Sequence, residues 1–230
     1  TFYHVMELLS GFDFESLVKR FGPLPPARVV YLLGQVCASL GEAHGMGLIH
    51  RDVKPANLYT CRLGTESDFV KVLDFGLVKS VRPDGVDQSL LTAPGVATGT
   101  PAFMAPEVAL GQSNIDHRVD IYALGCVAYW LLTGGFVFEG DSAVKMMYEH
   151  VRTEPVPPSR RTELPGSPSL DAVVLACLAK SPDDRPLDAH DLARRLSGCD
   201  VGEPWTPERA ARWWRTNVPD TAPVAASQAG

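Results

Sequence analysis

The sequence predicts an α+β fold that is mainly helical. Apolar residues recur at helical spacing along most of the chain, two short strand patterns form one hairpin, and no alternation of strand and helix indicates a parallel sheet. The 230 residues are 45% hydrophobic and 21% charged, which is the composition of an ordinary globular protein with a proper core.

The first half of the chain contains the strand patterns and two helices. The predicted elements are a short strand with an extended link at 2–9, a helix at 13–20, a long helix ending before Gly45 and Gly47, and strands at 57–60 and 69–73 joined by a turn at 64–68. The long helix is indicated by one apolar face, formed by Val30, Leu33, Cys37, Leu40 and His44.

The second half is predicted to be helical after a long loop. Residues 80–106 are rich in Gly, Pro, Thr and Ser and show no periodicity, which is typical of a functional or disordered loop. Residues 120–133 are apolar on nearly every face and predict a buried central helix. Further helices are expected at 141–151, 170–179, 188–196 and 206–214, and a frayed tail at 218–230.

Charge and cysteine content exclude several classes of protein. The net charge is −6 and the basic residues are scattered, so we expect no nucleic-acid partner. The five cysteines are odd in number and include no CxxC pair, which favours free thiols over disulfides or zinc. No signal peptide or uncharged apolar run of membrane-spanning length occurs, so a cytoplasmic location is expected, although a membrane-anchored parent protein stays open.

Three ordered motifs indicate the chemistry. Residues 50–57 read HRDVKPAN and match the pattern H-R-D-x-x-x-x-N, residues 74–76 read DFG, and residues 105–107 read APE. In this order the chain resembles the protein kinase family, and the string GTPAFMAPE at 99–107 is similar to bacterial kinases of the eukaryotic Ser/Thr type. A lone Asp or Asn after a helix would more often be a turn or cap residue.

The resemblance implies a fold and a reaction. It implies the C-terminal lobe of a protein kinase, with a short hinge strand and a small β-hairpin at the catalytic cleft. The implied divisions are an N-lobe remnant and hinge at 1–9, the C-lobe at 10–198 and a partly disordered extension at 199–230. The implied activity is transfer of the ATP γ-phosphate to Ser or Thr hydroxyls of protein substrates, with Mg²⁺.

Four residues match the catalytic positions of the family. Asp52 would orient the attacking hydroxyl and accept its proton, and Lys54 would stabilise charge on the transferring phosphoryl group. Asn57 and Asp74 match the two Mg²⁺ ligands. Because Lys54 lies two residues after Asp52, the resemblance favours Ser/Thr kinases over tyrosine kinases.

Other matches concern the nucleotide. The string VMELL at 5–9 resembles the hinge, where Met6 would be the gatekeeper and the backbone of Glu7 and Leu9 would face adenine. Asp13 matches a carboxylate that meets the ribose or a basic substrate residue. Tyr59 replaces the Leu, Ile or Met that usually forms the floor of the adenine pocket. Lys54, Asn57 and Asp74 complete the expected ATP-binding set.

Supporting roles follow from the same resemblance. Asp120 would accept backbone N–H groups of the catalytic loop, Glu107 would pair with Arg185, and His50 would pack near Phe75. Thr100 would contact the catalytic Asp and Lys. Because Arg51 precedes Asp52, a regulatory phosphate is a further possibility, with Thr92 as the first candidate and Thr98 and Ser89 as the others.

The sequence lacks three further parts of the family's motif set. No Gly-rich phosphate loop, strand Lys or partner Glu occurs in the 230 residues, which suggests a fragment of a longer product that binds ATP weakly and has negligible activity alone. The alternatives are a pseudokinase used as an interaction scaffold and a helical binding module. Retention of Asp52, Lys54, Asn57 and Asp74 favours the enzyme.

Overall fold

The structure is a computed structural model that describes residues 7–75 and 101–218. Within these residues, three antiparallel strands form one sheet in the order β1-β2-β3: β1 (Gly11–Asp13), β2 (Leu58–Leu63) and β3 (Glu66–Val72). The predicted hairpin is therefore confirmed, and β1 is an additional strand. The strand expected at 2–9 falls outside the described residues up to residue 6, and residues 7–10 have no regular secondary structure.

The short strand β1 depends on a glycine. In the register of β1 and β2, Gly11 lies opposite Cys61 and Asp13 lies opposite Tyr59. A Cβ atom at Gly11 would come within 2.0 Å of the Thr60 carbonyl oxygen. Only glycine allows this close approach of the two backbones.

The helices surround the apolar core. They are α1 (Phe14–Phe21), α2 (Pro26–Gly45), α3 (Pro106–Ala109), α4 (Arg118–Thr133), α5 (Ala143–Arg152), α6 (Pro168–Cys177), α7 (Ala189–Ser197) and α8 (Pro207–Asn217). In α4 every residue from Val119 to Leu132 is buried, which confirms the predicted central helix. The helix ends at Gly134, whose φ of 70° is the left-handed conformation common at helix ends.

The helix ends carry the expected capping residues. Asp13, Ser142, Ser167, Asp188 and Thr206 each accept a hydrogen bond from a backbone N–H of the first turn of the following helix. The side chain of Asp13, one of the candidate site residues, thereby fixes the start of α1.

The residues after α7 pack onto the lobe through a cluster of aromatic and charged side chains. We call Arg28, Asp68, Trp205, Trp213 and Trp214 the Asp68 cluster. Arg28 and Asp68 form a buried bidentate ion pair, with bonds of 2.9 and 2.7 Å. Both Trp205 and Trp214 donate their indole N–H to the Asp68 carboxylate, at 3.0 and 2.7 Å.

Stacking completes the Asp68 cluster. The Arg28 guanidinium lies 3.7 Å from the ring centre of Trp213 and 5.1 Å from that of Trp205. Trp214 also stacks on Phe12 of β1 at 5.8 Å. The segment up to residue 218 is thus anchored to α2, β1 and β3. The proposed boundary at residue 198 stays a prediction.

Candidate active site

The carboxylate of Asp52 is the centre of a small polar network. Lys54 donates from Nζ to Asp52 Oδ2 at 2.8 Å, and the side chains of Lys54 and Asp52 are each about one-quarter exposed, at 25% and 26%. Asn57 donates from Nδ2 to the same oxygen at 3.0 Å and to the Asp52 carbonyl oxygen at 2.9 Å. Three of the predicted site residues therefore meet at one carboxylate that solvent and a substrate can reach.

A buried acid holds the loop that presents Asp52. Asp120 in α4 is 1% exposed and accepts the backbone N–H groups of His50 and Arg51, each at 2.8 Å. His44 Nε2 lies 2.9 Å from the same carboxylate. These donors compensate for the burial of a charge, and they confirm the expected role of Asp120. They also support Arg51 at a φ of 62°, which is strained for a side chain of this type.

A backbone hydrogen bond pairs Leu73, the residue before Asp74, with Asn57. The N–H of Leu73 donates to the Asn57 carbonyl oxygen at 2.9 Å, which extends the β2–β3 pairing by one step. His50 Nε2 lies 2.9 Å from the Leu73 carbonyl oxygen, and its ring lies 4.7 Å from that of Phe75. This contact confirms the expected packing of His50. Asp74 follows with a φ of 57° and an exposed side chain.

The donor set of Asn57 and Asp74 fits a hard cation such as Mg²⁺. The amide nitrogen of Asn57 is directed at Asp52, so its oxygen faces the other way. Asp74 adds an exposed carboxylate. Among the described residues no group of three His, Cys, Asp or Glu side chains could hold a metal. Two protein oxygens suit Mg²⁺, which retains waters and takes the remaining ligands from phosphate groups.

The candidate nucleotide residues lie along β1 and the segment before it. Asp13 faces Tyr59 across the sheet, and the Tyr59 hydroxyl donates to the Leu9 carbonyl oxygen at 3.4 Å. Burial, with a smaller contribution from the Asp13 carboxylate, raises the pKa of Tyr59, which keeps the hydroxyl protonated and able to donate. The Glu7 side chain pairs with Lys71 of β3. Leu9, Asp13 and Tyr59 are therefore brought together where the edge strand β1 pairs with the central strand β2.

A second buried ion pair joins the APE segment to the lobe. Arg185 donates from both terminal nitrogens to the Glu107 carboxylate, each at 2.7 Å, and both side chains are buried. Further bonds reach the carbonyl oxygens of Ala179, Lys180 and Arg118. The predicted pair is confirmed. Met6, Gly76, Ser89, Thr92, Thr98 and Thr100 lie outside the described residues.

Sequence reasoning missed two features of the structure. One is the Asp68 cluster, because Arg28 and Asp68 belong to no recognisable sequence motif. The other is a recess of about 110 Å³ beside Lys54, whose walls include Phe103, Trp130 and Phe136. Each combines residues that are distant in sequence, so no local pattern could indicate it.

A family comparison accounts for this architecture. The protein kinase domain family model matches residues 1–195. The chain belongs to the protein kinase domain family. Members of this family generally use ATP and Mg²⁺.

Curated relatives are bacterial Ser/Thr kinases. The chain is 43% identical over 196 residues to Ser/Thr-protein kinase pkn3 of Myxococcus xanthus, covering 85% of this chain and 36% of the relative. It is 41% identical over 194 residues to PknB of Mycolicibacterium smegmatis, covering 84% of this chain and 30% of the relative. The chain thus spans about a third of the length of these relatives.

Solved kinase structures share the fold. Rad53 in complex with AMP-PNP superposes with a TM-score of 0.65 at 25% identity, over 83% of this chain and 45% of that one. The PknI kinase domain of Mycobacterium tuberculosis gives 0.60 at 26% identity, over 84% and 63%. The predicted fold class is therefore confirmed. Within 7–75 and 101–218, every helix is too short or too polar to cross a bilayer.

Proposed function

We propose that this chain supplies the catalytic loop and metal ligands of a Ser/Thr protein kinase that transfers the γ-phosphoryl group of ATP to a protein hydroxyl. The observation that carries the proposal is the meeting of Lys54 and Asn57 at the Asp52 carboxylate, with Leu73, the residue before Asp74, bonded to the Asn57 backbone. The names of the relatives as Ser/Thr kinases, and the binding of AMP-PNP by Rad53, support the same substrate classes.

The roles follow from the charges of a phosphoryl transfer. Asp52 orients the substrate hydroxyl and receives its proton as the new oxygen–phosphorus bond forms and the bond to the ADP oxygen breaks. Lys54, held 2.8 Å from Asp52, places a cation near the transferred group. Asn57 and Asp74 would hold Mg²⁺, which neutralises phosphate charge when bound.

The adenosine part of ATP is proposed to lie along the segment before α1. The backbone of Glu7 and Leu9 would face the base, Tyr59 would underlie it, and Asp13 would reach the ribose. The Tyr59 hydroxyl donates a hydrogen bond to the Leu9 carbonyl oxygen at 3.4 Å. Because this bond is long, a donor group of the ligand could replace it. Protein substrates with Ser or Thr would approach Asp52 from the exposed side.

Replacing Asp74 by Asn tests the metal assignment. We expect Mg²⁺ to tighten binding of a fluorescent ATP analogue to the chain, and we expect this dependence to disappear in Asp74→Asn because the variant lacks the only negatively charged ligand of the proposed pair. Fluorescence titrations with Mg²⁺ and with EDTA measure the difference. The control is Asp183→Asn, at a side chain that is 85% exposed. Retention of the full Mg²⁺ effect in Asp74→Asn would contradict the assignment.

The polypeptide of 230 residues is proposed to have negligible activity by itself. Its sequence contains no Gly-rich loop and no strand Lys, which in protein kinases bind the ATP phosphates. Incubation with Mg²⁺, labelled ATP and a generic Ser/Thr substrate should give incorporation near background. Clear turnover that Asp52→Asn abolishes would contradict this proposal, because it would show that the polypeptide is active without the Gly-rich loop and the strand Lys.

A further inference from the structure

The helix α8 lies after the part of the chain that the protein kinase family model matches. That match ends at residue 195, and α8 runs from Pro207 to Asn217. Trp214 of α8 is 1% exposed, and its ring packs against Phe12 of the strand β1, which also carries the proposed ribose residue Asp13. The effect of α8 on β1 is therefore a property of the residues that follow the matched domain.

Four aromatic side chains join α8 to β1 and α1 in a closed ring of contacts. Phe12 stacks on Trp214 with ring centres 5.8 Å apart, and Phe21 meets Trp213 edge-on at 4.8 Å. Phe12 also meets Phe21 at 5.6 Å, and Trp213 meets Trp214 at 5.8 Å. We call Phe12, Phe21, Trp213 and Trp214 the aromatic bridge. Because each ring contacts two others, the loss of one ring weakens the packing of its neighbours.

The aromatic bridge and the proposed nucleotide residues occupy opposite faces of β1. Phe12 lies opposite Thr60 of β2, and the Thr60 hydroxyl donates to Asp68 Oδ1 at 3.3 Å, so this face adjoins the Asp68 cluster. Asp13 lies opposite Tyr59, and neighbouring side chains of a strand point to opposite faces. The aromatic bridge therefore packs on the face of β1 opposite to the one on which adenosine is proposed to bind.

Strand β1 depends on packing as well as on backbone hydrogen bonds. It is three residues long and lies at the edge of the sheet, so within the described residues β2 is its only strand neighbour. One further bond extends the pairing, since the Arg62 N–H donates to the Ser10 carbonyl oxygen at 3.1 Å. A short edge strand of this kind needs packing on one of its faces to stay ordered.

The position of β1 sets the position of the Asp13 carboxylate. Asp13 is the last residue of β1 and caps α1: its Oδ1 accepts the Ser16 N–H at 2.7 Å, and its Oδ2 accepts the Ser16 hydroxyl at 2.8 Å. Phe12 directly precedes Asp13, and Phe21 is the last residue of α1. Helix α8 thus contacts the unit formed by β1 and α1 at both of its ends.

We propose that α8 is a positioning element for the nucleotide. Through the aromatic bridge it keeps β1 and the start of α1 ordered, and it thereby holds Leu9 and Asp13 where the base and ribose of ATP are proposed to bind. The observed affinity for adenosine is the intrinsic affinity multiplied by the fraction of molecules in which β1 is in place. The inference rests on the proposed function, because it takes adenosine to lie along Leu9, Asp13 and Tyr59.

Amide hydrogen exchange in the 230-residue chain measures the order of β1 directly. We expect Trp214→Leu to make exchange of the Arg62 N–H, which bonds to Ser10, about tenfold faster. The Leu73 N–H bonds to the Asn57 carbonyl oxygen at 2.9 Å directly after β3, so it is an internal reference that should keep its rate.

Two further variants separate the contact from the folding of α8. Phe12→Ala removes the β1 side of the same contact and leaves α8 unaltered, so it should also speed exchange of the Arg62 N–H, even if Trp214→Leu does not fold. The matched control is Trp205→Leu, which should leave that rate unchanged. Trp205 also donates to Asp68, at 3.0 Å, but its ring lies beside Arg28 and Arg209.

Competition against a fluorescent ATP analogue shows whether the effect reaches the nucleotide. Adenosine should bind about tenfold more weakly to Trp214→Leu and to Phe12→Ala, whereas inorganic triphosphate with Mg²⁺ should compete equally well in every variant. A general loss of folded protein would weaken both competitors alike, so the difference separates positioning from stability. The double variant should bind adenosine no more weakly than the weaker-binding single variant, because both changes remove one contact.

The outcomes distinguish this inference from the proposed function. Unchanged exchange of the Arg62 N–H in both single variants overturns the inference, and so does faster exchange with unchanged adenosine affinity or with equal losses for adenosine and triphosphate. If the unaltered chain binds neither competitor, the proposed function fails and the nucleotide part of the inference fails with it, while the exchange rates still decide whether α8 orders β1.

Discussion

Replacing Asp68 by Asn is expected to lower the free energy of unfolding by about 3–5 kcal/mol, because it leaves the buried Arg28 charge without a counter-charge. The Arg28 side chain is 1% exposed and that of Asp68 is 0% exposed, so water cannot compensate for the loss. Asn is the suitable replacement, since Asp68 has a φ of 57° and Asn tolerates this left-handed conformation.

The change also disturbs the two tryptophans that hold the residues after α7. Trp205 and Trp214 donate to different oxygens of Asp68. In the Asp68→Asn variant one of these oxygens is replaced by an NH₂ group, which would face an indole N–H or the guanidinium. We therefore expect the segment up to residue 218 to loosen together with the ion pair.

Denaturant unfolding, followed by tryptophan fluorescence and by circular dichroism, measures the loss. Asp183→Asn is the matched control: Asp183 also pairs with an arginine, Arg118, at 2.7 Å, but its side chain is 85% exposed. Exposed pairs contribute little, so the control should lose less than about 1 kcal/mol. An Asp68→Asn variant as stable as this control would show that the Asp68 cluster is not a stabilising centre.

Local patterns in the sequence were sufficient for much of the fold and for the polar network at Asp52. The central helix α4 could be predicted because its apolar run is continuous, and the β2–β3 hairpin because a turn separates two strand patterns. Asp52, Lys54 and Asn57 lie within six consecutive residues, so one motif places them on one loop. Whether these residues have the proposed roles stays a prediction.

The features that could not be predicted from the sequence depend on contacts between distant parts of the chain. Arg28 and Asp68 are 40 residues apart, and Trp214 is 146 residues from Asp68, so no periodicity could pair them. Strand β1 has three residues, too few to show an alternating pattern. The recess beside Lys54 likewise combines residues of the catalytic loop with Trp130 of α4.

In a hybrid protein that adds an N-terminal kinase lobe ahead of residue 1, replacing Asp52 by Asn is expected to lower phosphoryl transfer by about a hundredfold to ten-thousandfold, the usual contribution of a positioned general base. The amide oxygen can still accept the bonds that Lys54 and Asn57 donate to Asp52 Oδ2, so the loop should keep its shape. An amide cannot accept the hydroxyl proton. The loss should therefore appear in turnover, with the fold and nucleotide binding nearly unchanged.

The most direct measurement of the proposed function uses a hybrid protein that contains the Gly-rich loop and the strand Lys. The N-terminal lobe of a bacterial Ser/Thr kinase relative, with its Gly-rich loop and strand Lys, is fused ahead of residue 1, and transfer from labelled ATP to a Ser/Thr substrate is followed. We expect Asp52-dependent transfer to Ser or Thr, unaffected by Asp141→Asn at a side chain that is 81% exposed. A folded hybrid that transfers no phosphate, or that transfers it equally well with Asp52→Asn, would contradict it.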